Sequence, residues 1–128
     1  MKYIIFITFV LLSFPAYSFE GDLKSTGNLG YENALVELKP LSFKSGVMVF
    51  TMTVNTHSAN FDDFDLATNT VLYINNIKIN PIQTSNLNSH HINGELRFSL
   101  EGDITTDIKI TIENMASEAI REFYWPKP

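Results

Sequence analysis

The sequence contains no cysteine among its 128 residues. Disulfide bonds, thiolate metal ligands and cysteine nucleophiles are therefore all excluded. A lipoprotein anchor is excluded as well, since this kind of lipid attachment needs a cysteine. Without such covalent staples, the stability of the fold has to come from its apolar core.

Basic residues are scarce, with 9 Lys and Arg against 14 Asp and Glu, and the net charge is −5. Nucleic acids and anionic membrane surfaces bind basic patches, so neither is expected as a partner. Cations remain plausible partners for such a chain. No asparagine stands in an Asn-x-Ser/Thr sequon, which favours a bacterial exported protein over a glycosylated one.

Long apolar runs are confined to the start of the chain. Lys2 precedes an apolar stretch at residues 3–15, and residues 16–18 have the small-x-small pattern of a signal-peptidase site. This run is shorter than the roughly 20 residues of a membrane-spanning helix. The pattern predicts a signal peptide at residues 1–18, a secreted or periplasmic location, and no membrane anchor after cleavage.

Apolar and polar residues alternate with a period of two through most of the remaining chain, and no helical periodicity accompanies them. Pro40 is expected to interrupt the first strand, and Asn75 and Asn76 form a two-residue hairpin turn. Only residues 115–120 could form a helical turn. The predicted strands are residues 34–39, 48–55, 71–74, 77–80, 95–100, 107–113 and 121–125.

Seven short strands separated by turn residues predict one antiparallel β-sandwich, immunoglobulin-like or cupredoxin-like in form, at residues 33–128. Residues 19–32, rich in Gly, Ser, Asn and charge, are expected to be a flexible lead-in. Alternation in the last strand places Arg121, Phe123 and Trp125 on its inner face. An aromatic contact with carbohydrate or protein at residues 123–125 is the weaker interpretation, because large aromatics dominate core burial.

All three histidines adjoin predicted strands: His57 follows the second strand, and His90 and His91 precede the fifth. Three imidazoles can hold a transition metal such as Zn or Cu, with a carboxylate from Asp62 or Asp65 completing the shell. Two features oppose this hypothesis: adjacent strand residues face opposite ways, and copper sites of the cupredoxin kind need a thiolate. The alternative is that these histidines hydrogen-bond backbone groups where strands end.

Two hydroxyl side chains, Thr56 and Ser58, flank His57 and are candidate ligand contacts. A catalytic triad of Ser58, His57 and either Asp62 or Asp65 is disfavoured, because residues close in sequence seldom supply the nucleophile, base and acid in the required geometry. No Gly-x-Ser-x-Gly elbow occurs either. The sequence therefore predicts a non-enzymatic protein.

The acidic stretch at residues 60–66 does not match a calcium-binding EF-hand. Counted from Asp62, the required glycine and glutamate positions hold Ala67 and Tyr73. We instead expect a turn in which aspartates accept hydrogen bonds from backbone N–H groups. The apolar residues of this turn, Phe61, Phe64 and Leu66, are then expected to enter the core.

The order of these motifs resembles a family of uncharacterised exported bacterial and archaeal domains. Members carry Asp-Thr-His-Ser, then Asp-Leu, then Gly-His-His before Ser-Gly, and the resemblance spans approximately residues 46–125. This chain has Asn55 where Asp is usual and Asn93 where Ser is usual. The resemblance implies one shared site for His57, His90 and His91, and it implies no particular activity.

Two functions remain open on the sequence alone. One is an exported module that binds a transition metal or another small ligand at the histidines. The other is a structural or protein-interaction module of the cell envelope, in which the histidines only fix loops and a sheet face or edge meets a partner protein.

Overall fold

The computed structural model describes residues 19–128, and the predicted signal peptide at residues 1–18 lies outside the described residues. Eight strands and one short helix follow one another in the described chain. They are β1 (Lys24–Thr26), β2 (Ala34–Lys44), β3 (Val47–Thr56), α1 (Leu66–Asn69), β4 (Thr70–Ile74), β5 (Ile77–Ile79), β6 (His91–Ser99), β7 (Ile108–Met115) and β8 (Glu118–Trp125).

The strands form two antiparallel sheets of four strands each, which confirms the predicted all-β sandwich. The first sheet has the order β1-β2-β3-β6 and the second has the order β5-β4-β7-β8. Strands β2 to β8 correspond to the seven predicted strands. Among residues 19–128 no helix is long and apolar enough to cross a membrane.

The lead-in at residues 19–32 takes part in the sandwich. It contains β1, which pairs with β2 from Lys24 to Thr26. Its first residue, Phe19, is buried and meets the ring of Phe50 edge-on, with the centroids 5.3 Å apart. An aromatic side chain at the start of the segment therefore attaches it to the core, although its composition is that of a loop.

The core lies between the sheets and is made by the inward positions of each alternating strand. Phe50 of β3 is fully buried and reaches across the sandwich to Trp125 of β8, with ring centroids 5.2 Å apart. Phe98 of β6 meets Phe50 edge-on at 5.8 Å. Phe123 and Trp125 are both buried, as predicted, and burial of each such side chain contributes about 2–3 kcal/mol.

Pro40 interrupts the regular pairing of β2 with β3, as expected, through a bulge between Pro40 and Ser42, but the strand continues beyond it to Lys44. Residues 115–120 contain no helical turn, because β7 and β8 are joined there by a tight hairpin with Ala116 at φ 55°. The one helix is α1, whose N-cap is Asp65.

Strand register fixes which loops meet at one end of the sandwich. At this end Ala34 of β2 lies opposite Thr56 of β3, and Asn55 lies opposite His91 of β6. The chain leaves β3 here, crosses to the second sheet through residues 57–69, and enters β4 at Thr70. We call the loops of residues 57–65 and 84–90, together with His91, the histidine end.

Candidate functional site

The pairing of β3 with β6 brings the histidine-containing segments together. Asn55 is the last residue of β3 that pairs with β6, and its partner is His91. One residue further on, the backbone N–H of Thr56 donates to the carbonyl oxygen of His90 at 3.0 Å. His57 is exposed in the bend that follows Thr56 directly. Two sequence segments more than thirty residues apart therefore share one end of the fold.

The rings of His90 and His91 are both oriented by hydrogen bonds to β3. Nδ1 of His90 lies 3.3 Å from the backbone oxygen of Thr56, and Nδ1 of His91 lies 2.6 Å from Oδ1 of Asn55. A carbonyl oxygen can only accept, so Nδ1 of His90 carries the proton. In a neutral ring the lone pair is then on Nε2, which is the arrangement found in metal-binding histidines.

The two predicted hydroxyl contacts have different surroundings. The Thr56 hydroxyl is buried, donates to the backbone oxygen of Asn33 at 2.7 Å and accepts from the N–H of Ala59 at 2.9 Å. This buried hydroxyl therefore connects the loop of residues 57–65 to the backbone of Asn33. Ser58 is exposed and its Oγ accepts from the N–H of Glu32 at 2.7 Å, so its own proton remains available to a ligand.

The acidic residues of the loop also divide into two groups. Asp65 is the N-cap of α1 and accepts from the N–H groups of Ala67 and Thr68, as the turn interpretation predicts. Hydrogen bonds from Thr68 and, to a lesser extent, Ala67 hold the pKa of Asp65 below its ordinary value of 3.8. Asp62 is exposed, and among the described residues its carboxylate accepts no hydrogen bond.

Two adjoining grooves separate the loop of residues 57–65 from the loop of residues 84–90. The first has a volume of about 530 Å³ and the second of about 520 Å³. They share Phe61, Asp62, Leu87 and Asn88, so they form one continuous depression, and His90 lines the second. Its wall combines a few apolar side chains with a larger number of hydroxyl, amide and carboxylate groups, so it is more polar than most small-ligand sites.

The side chains at this end are not arranged as a finished metal centre. Within residues 19–128, no group of three or more His, Cys, Asp or Glu side chains is placed so that it could hold a metal ion. The predicted set of His57, His90, His91, Asp62 and Asp65 lies at one end of the sandwich but not in one coordination shell. Metal binding there stays a prediction.

Beneath the histidine end lies a buried arginine whose bonding the sequence did not reveal. Arg121 of β8 is 1% exposed. Its Nη1 and Nη2 donate only to neutral oxygens, and its Nε has no hydrogen-bond partner among residues 19–128. Burial lowers its pKa, and the charge of nearby Glu118 opposes that effect. Its acceptors are the backbone oxygens of Thr26, Ala34 and Met115, Oγ1 of Thr26 and Oδ1 of Asn33, at 2.9–3.3 Å.

Asn33 connects this arginine to the histidine end. Its Oδ1 accepts from Arg121, its Nδ2 donates to Glu118 at 3.1 Å, and its backbone oxygen accepts the Thr56 hydroxyl. We call Arg121, Asn33, Thr26 and Glu118 the arginine corner. The sequence did contain a signal for this corner: Arg121 occupies an inward position of an alternating strand, and a buried cation requires buried acceptors. The acceptors themselves come from distant segments that the pattern does not identify.

No protein-family model matches the chain, and neither curated proteins nor solved structures match it at a significant level. The family resemblance drawn from the motif order therefore stays a prediction. The function has to be argued from the residues and the geometry of the histidine end.

Proposed function

We propose that this chain is an exported, non-enzymatic β-sandwich module that binds a small ligand at the histidine end, with a transition metal ion as the first candidate. The observation that carries the proposal is the fixed ring of His90. Its Nδ1 donates to the Thr56 backbone oxygen, so the lone pair is on Nε2, and the residue lines a groove that also contains Asp62.

The surroundings of His90 support a ligand role. Imidazole nitrogen is a good donor for Zn, Cu and Ni, and a hydrogen bond from the other ring nitrogen to a carbonyl fixes the orientation of the ring. Asp62 brings a carboxylate with free lone pairs to the same groove, in a chain of net charge −5 that attracts cations. His57 and His91 lie at the same end of the sandwich and are further candidate donors.

Calorimetric titration of the exported, processed protein with Zn²⁺ and Cu²⁺ tests the proposal. We expect saturable binding that weakens at least about tenfold in His90→Ala and in Asp62→Asn, since each change removes one donor. Asp103→Asn is the matched control, because it removes one exposed carboxylate elsewhere and should bind as the parent does. Absence of saturable binding, or equal affinities in all variants, would overturn the proposal.

The His57→Ala variant determines the size of the site. A loss of affinity equal to that of His90→Ala indicates that the three histidines act together, as the motif order implies. An unchanged affinity restricts the site to His90, Asp62 and their immediate neighbours.

A structural or envelope-interaction module is the second candidate, and one observation favours it. His90 bonds to Thr56 twice, through its backbone oxygen and through its ring, so it ties the loop of residues 84–90 to the end of β3. If this is its only role, His90→Ala lowers the melting temperature equally with and without metal. A melting temperature that depends on His90 only when Zn²⁺ is present would exclude this candidate.

A further inference from the structure

The outer face of the second sheet carries a row of four side chains, one from each strand. Tyr73 of β4 lies opposite Lys78 of β5 on one side and opposite Lys109 of β7 on the other, and Lys109 lies opposite Tyr124 of β8. The alternate positions Leu72, Ile110 and Phe123 are buried, so these four face outward. We call Lys78, Tyr73, Lys109 and Tyr124 the lysine–tyrosine row.

Both lysines of the row converge on one aromatic ring. Nζ of Lys109 lies 4.6 Å from the centroid of the Tyr73 ring, and Nζ of Lys78 lies 5.5 Å from it. Such contacts hold a cation over the ring without neutralising it. Within residues 19–128 the one ion pair joins Arg97 to Glu95, so neither lysine is paired with a carboxylate. Two cations are thus kept close together in a chain of net negative charge.

A groove of about 530 Å³ lies along this row and contains further polar groups, among them Asn76, Thr106 and Asp107. The hydroxyl of Tyr124 donates to Oδ2 of Asp107 at 2.6 Å, while the Tyr124 side chain remains half exposed. The tyrosine ring is therefore fixed in position with apolar surface open to solvent. Asn76 and Thr106 belong to turns at the end of the sandwich opposite to the histidine end.

The groups of the groove select among anionic ligands. Two ammonium groups attract anions, and the carboxylate of Asp107 in the same groove limits the local positive charge, which suits widely spaced carboxylates better than a dense row of phosphates. Asp107, Asn76 and Thr106 can instead exchange hydrogen bonds with hydroxyl groups, since each retains unused lone pairs or donors. The half-exposed ring of Tyr124 offers an amphipathic surface on which a sugar ring can lie. A ligand that carries both carboxylates and hydroxyls on rings satisfies all of these groups.

We propose that the lysine–tyrosine row binds an acidic saccharide, a sugar chain whose residues carry carboxylate groups. The two ammonium groups bind carboxylates, Tyr124 stacks against a sugar ring, and the polar side chains of the groove bond to its hydroxyls. Nucleic acids and anionic membranes fit less well, because their phosphates are more densely spaced than the carboxylates of a sugar chain and the groove also contains the carboxylate of Asp107. This site is separate from the histidine end and does not depend on the function proposed there.

Calorimetric titration with a galacturonate tetramer and a mannuronate tetramer tests the proposal. We expect at least one of them to bind saturably, and we expect the fully methyl-esterified tetramer, which keeps the sugar but loses its charges, to bind at least tenfold more weakly. The double variant K78Q/K109Q should also lose at least tenfold in affinity. Its matched control is K39Q/K44Q, which makes the same change in charge on exposed lysines of the first sheet and should stay within twofold of the parent.

Two further titrations separate a saccharide site from simple charge attraction. Tyr124→Ala leaves the net charge unchanged and should weaken binding at least fivefold, since the stacking surface is lost. An oligoglutamate of equal charge and vesicles containing phosphatidylglycerol should bind at least tenfold more weakly than the tetramer. The proposal is overturned if neither tetramer binds, if K39Q/K44Q loses as much affinity as K78Q/K109Q, if Tyr124→Ala binds normally, or if oligoglutamate or vesicles bind equally well.

Discussion

The arginine corner and the histidine end are neighbouring polar regions that use their hydrogen-bonding groups differently. Arg121 is 1% exposed and donates five hydrogen bonds to protein oxygens. His90 and His91 are exposed, and each ring makes one bond, through Nδ1. Buried polar groups stabilise a fold only when their bonds are satisfied inside the protein, whereas groups that bind ligands keep unused capacity.

A chain of hydrogen bonds also connects the two regions. Asn33 bonds to Arg121 through its side chain and to the Thr56 hydroxyl through its backbone, while Thr56 bonds to His90. The arginine corner therefore supports the strand ends from which the histidines project. Changes in the corner should reduce stability, and changes at the histidines should reduce binding.

The largest expected loss of stability is at Arg121. Arg121→Met keeps most of the side-chain volume but leaves the buried backbone oxygens of Ala34 and Met115 without the donors that Arg121 supplies. We expect the free energy of unfolding to fall by about 4 kcal/mol, measured by urea denaturation. Arg97→Met is the control, since the Arg97–Glu95 pair is partly exposed and should contribute less than about 1 kcal/mol. A similar loss in both variants would contradict the assignment of the corner.

A smaller effect is expected at Gly27, which adjoins the same corner. Its φ is +80°, and a Cβ there would fall against the backbone oxygen of Ala34 and Nη1 of Arg121. We expect Gly27→Ala to cost about 3 kcal/mol in the same denaturation assay. Gly102→Ala is a matched control, because its φ is +77° with no atom within 4 Å, and it should cost only about 1 kcal/mol. Equal costs would show that the close approach to Arg121 is unimportant.

The smallest effect is a loosening of the histidine end by acid. The pKa of Asp65 is below 3.8 in the folded protein because Thr68 and Ala67 donate to its carboxylate. The stabilisation by Asp65 is therefore fully present above about pH 4 and is lost as the pH falls through the lowered folded-state pKa. NMR should show reduced protection of the Ala67 and Thr68 amides over that range, with little change at Arg121.

Asp65→Asn provides the reference for this titration, since it retains an acceptor but has no proton to gain. Its amide protection should not change with pH in this window. A pH profile identical to that of the parent protein would show that another group causes the loosening.

Much of the fold was predictable because each strand has one face in the core. Alternation located β2 to β8, including the inward Phe123 and Trp125 of β8. Strand β1 could not be found this way, because it has only three residues and no apolar alternation. The end of β2 was not predictable from Pro40 for a related reason. A proline indicates a missing N–H, but whether a bulge lets the strand continue past it depends on the partner strand.

The candidate site was predictable in position but not in detail. His57 follows β3, His90 precedes β6 and His91 begins it, and the antiparallel pairing of β3 with β6 places these strand ends together. The orientation of the His90 and His91 rings was not predictable. It depends on hydrogen bonds to the backbone oxygen of Thr56 and to the side chain of Asn55 on the neighbouring strand. The arginine corner was missed because its acceptors lie as far as 95 residues from Arg121 in sequence.

Thermal unfolding with and without Zn²⁺ separates ligand binding by His90 from the structural role of the arginine corner. A ligand that binds only the folded state at 100 times its Kd adds about 2.7 kcal/mol of stability, which should raise the melting temperature by at least about 5 °C. We expect this rise in the parent protein and its loss in His90→Ala. No rise in the parent protein, or an equal rise in both proteins, would contradict ligand binding by His90.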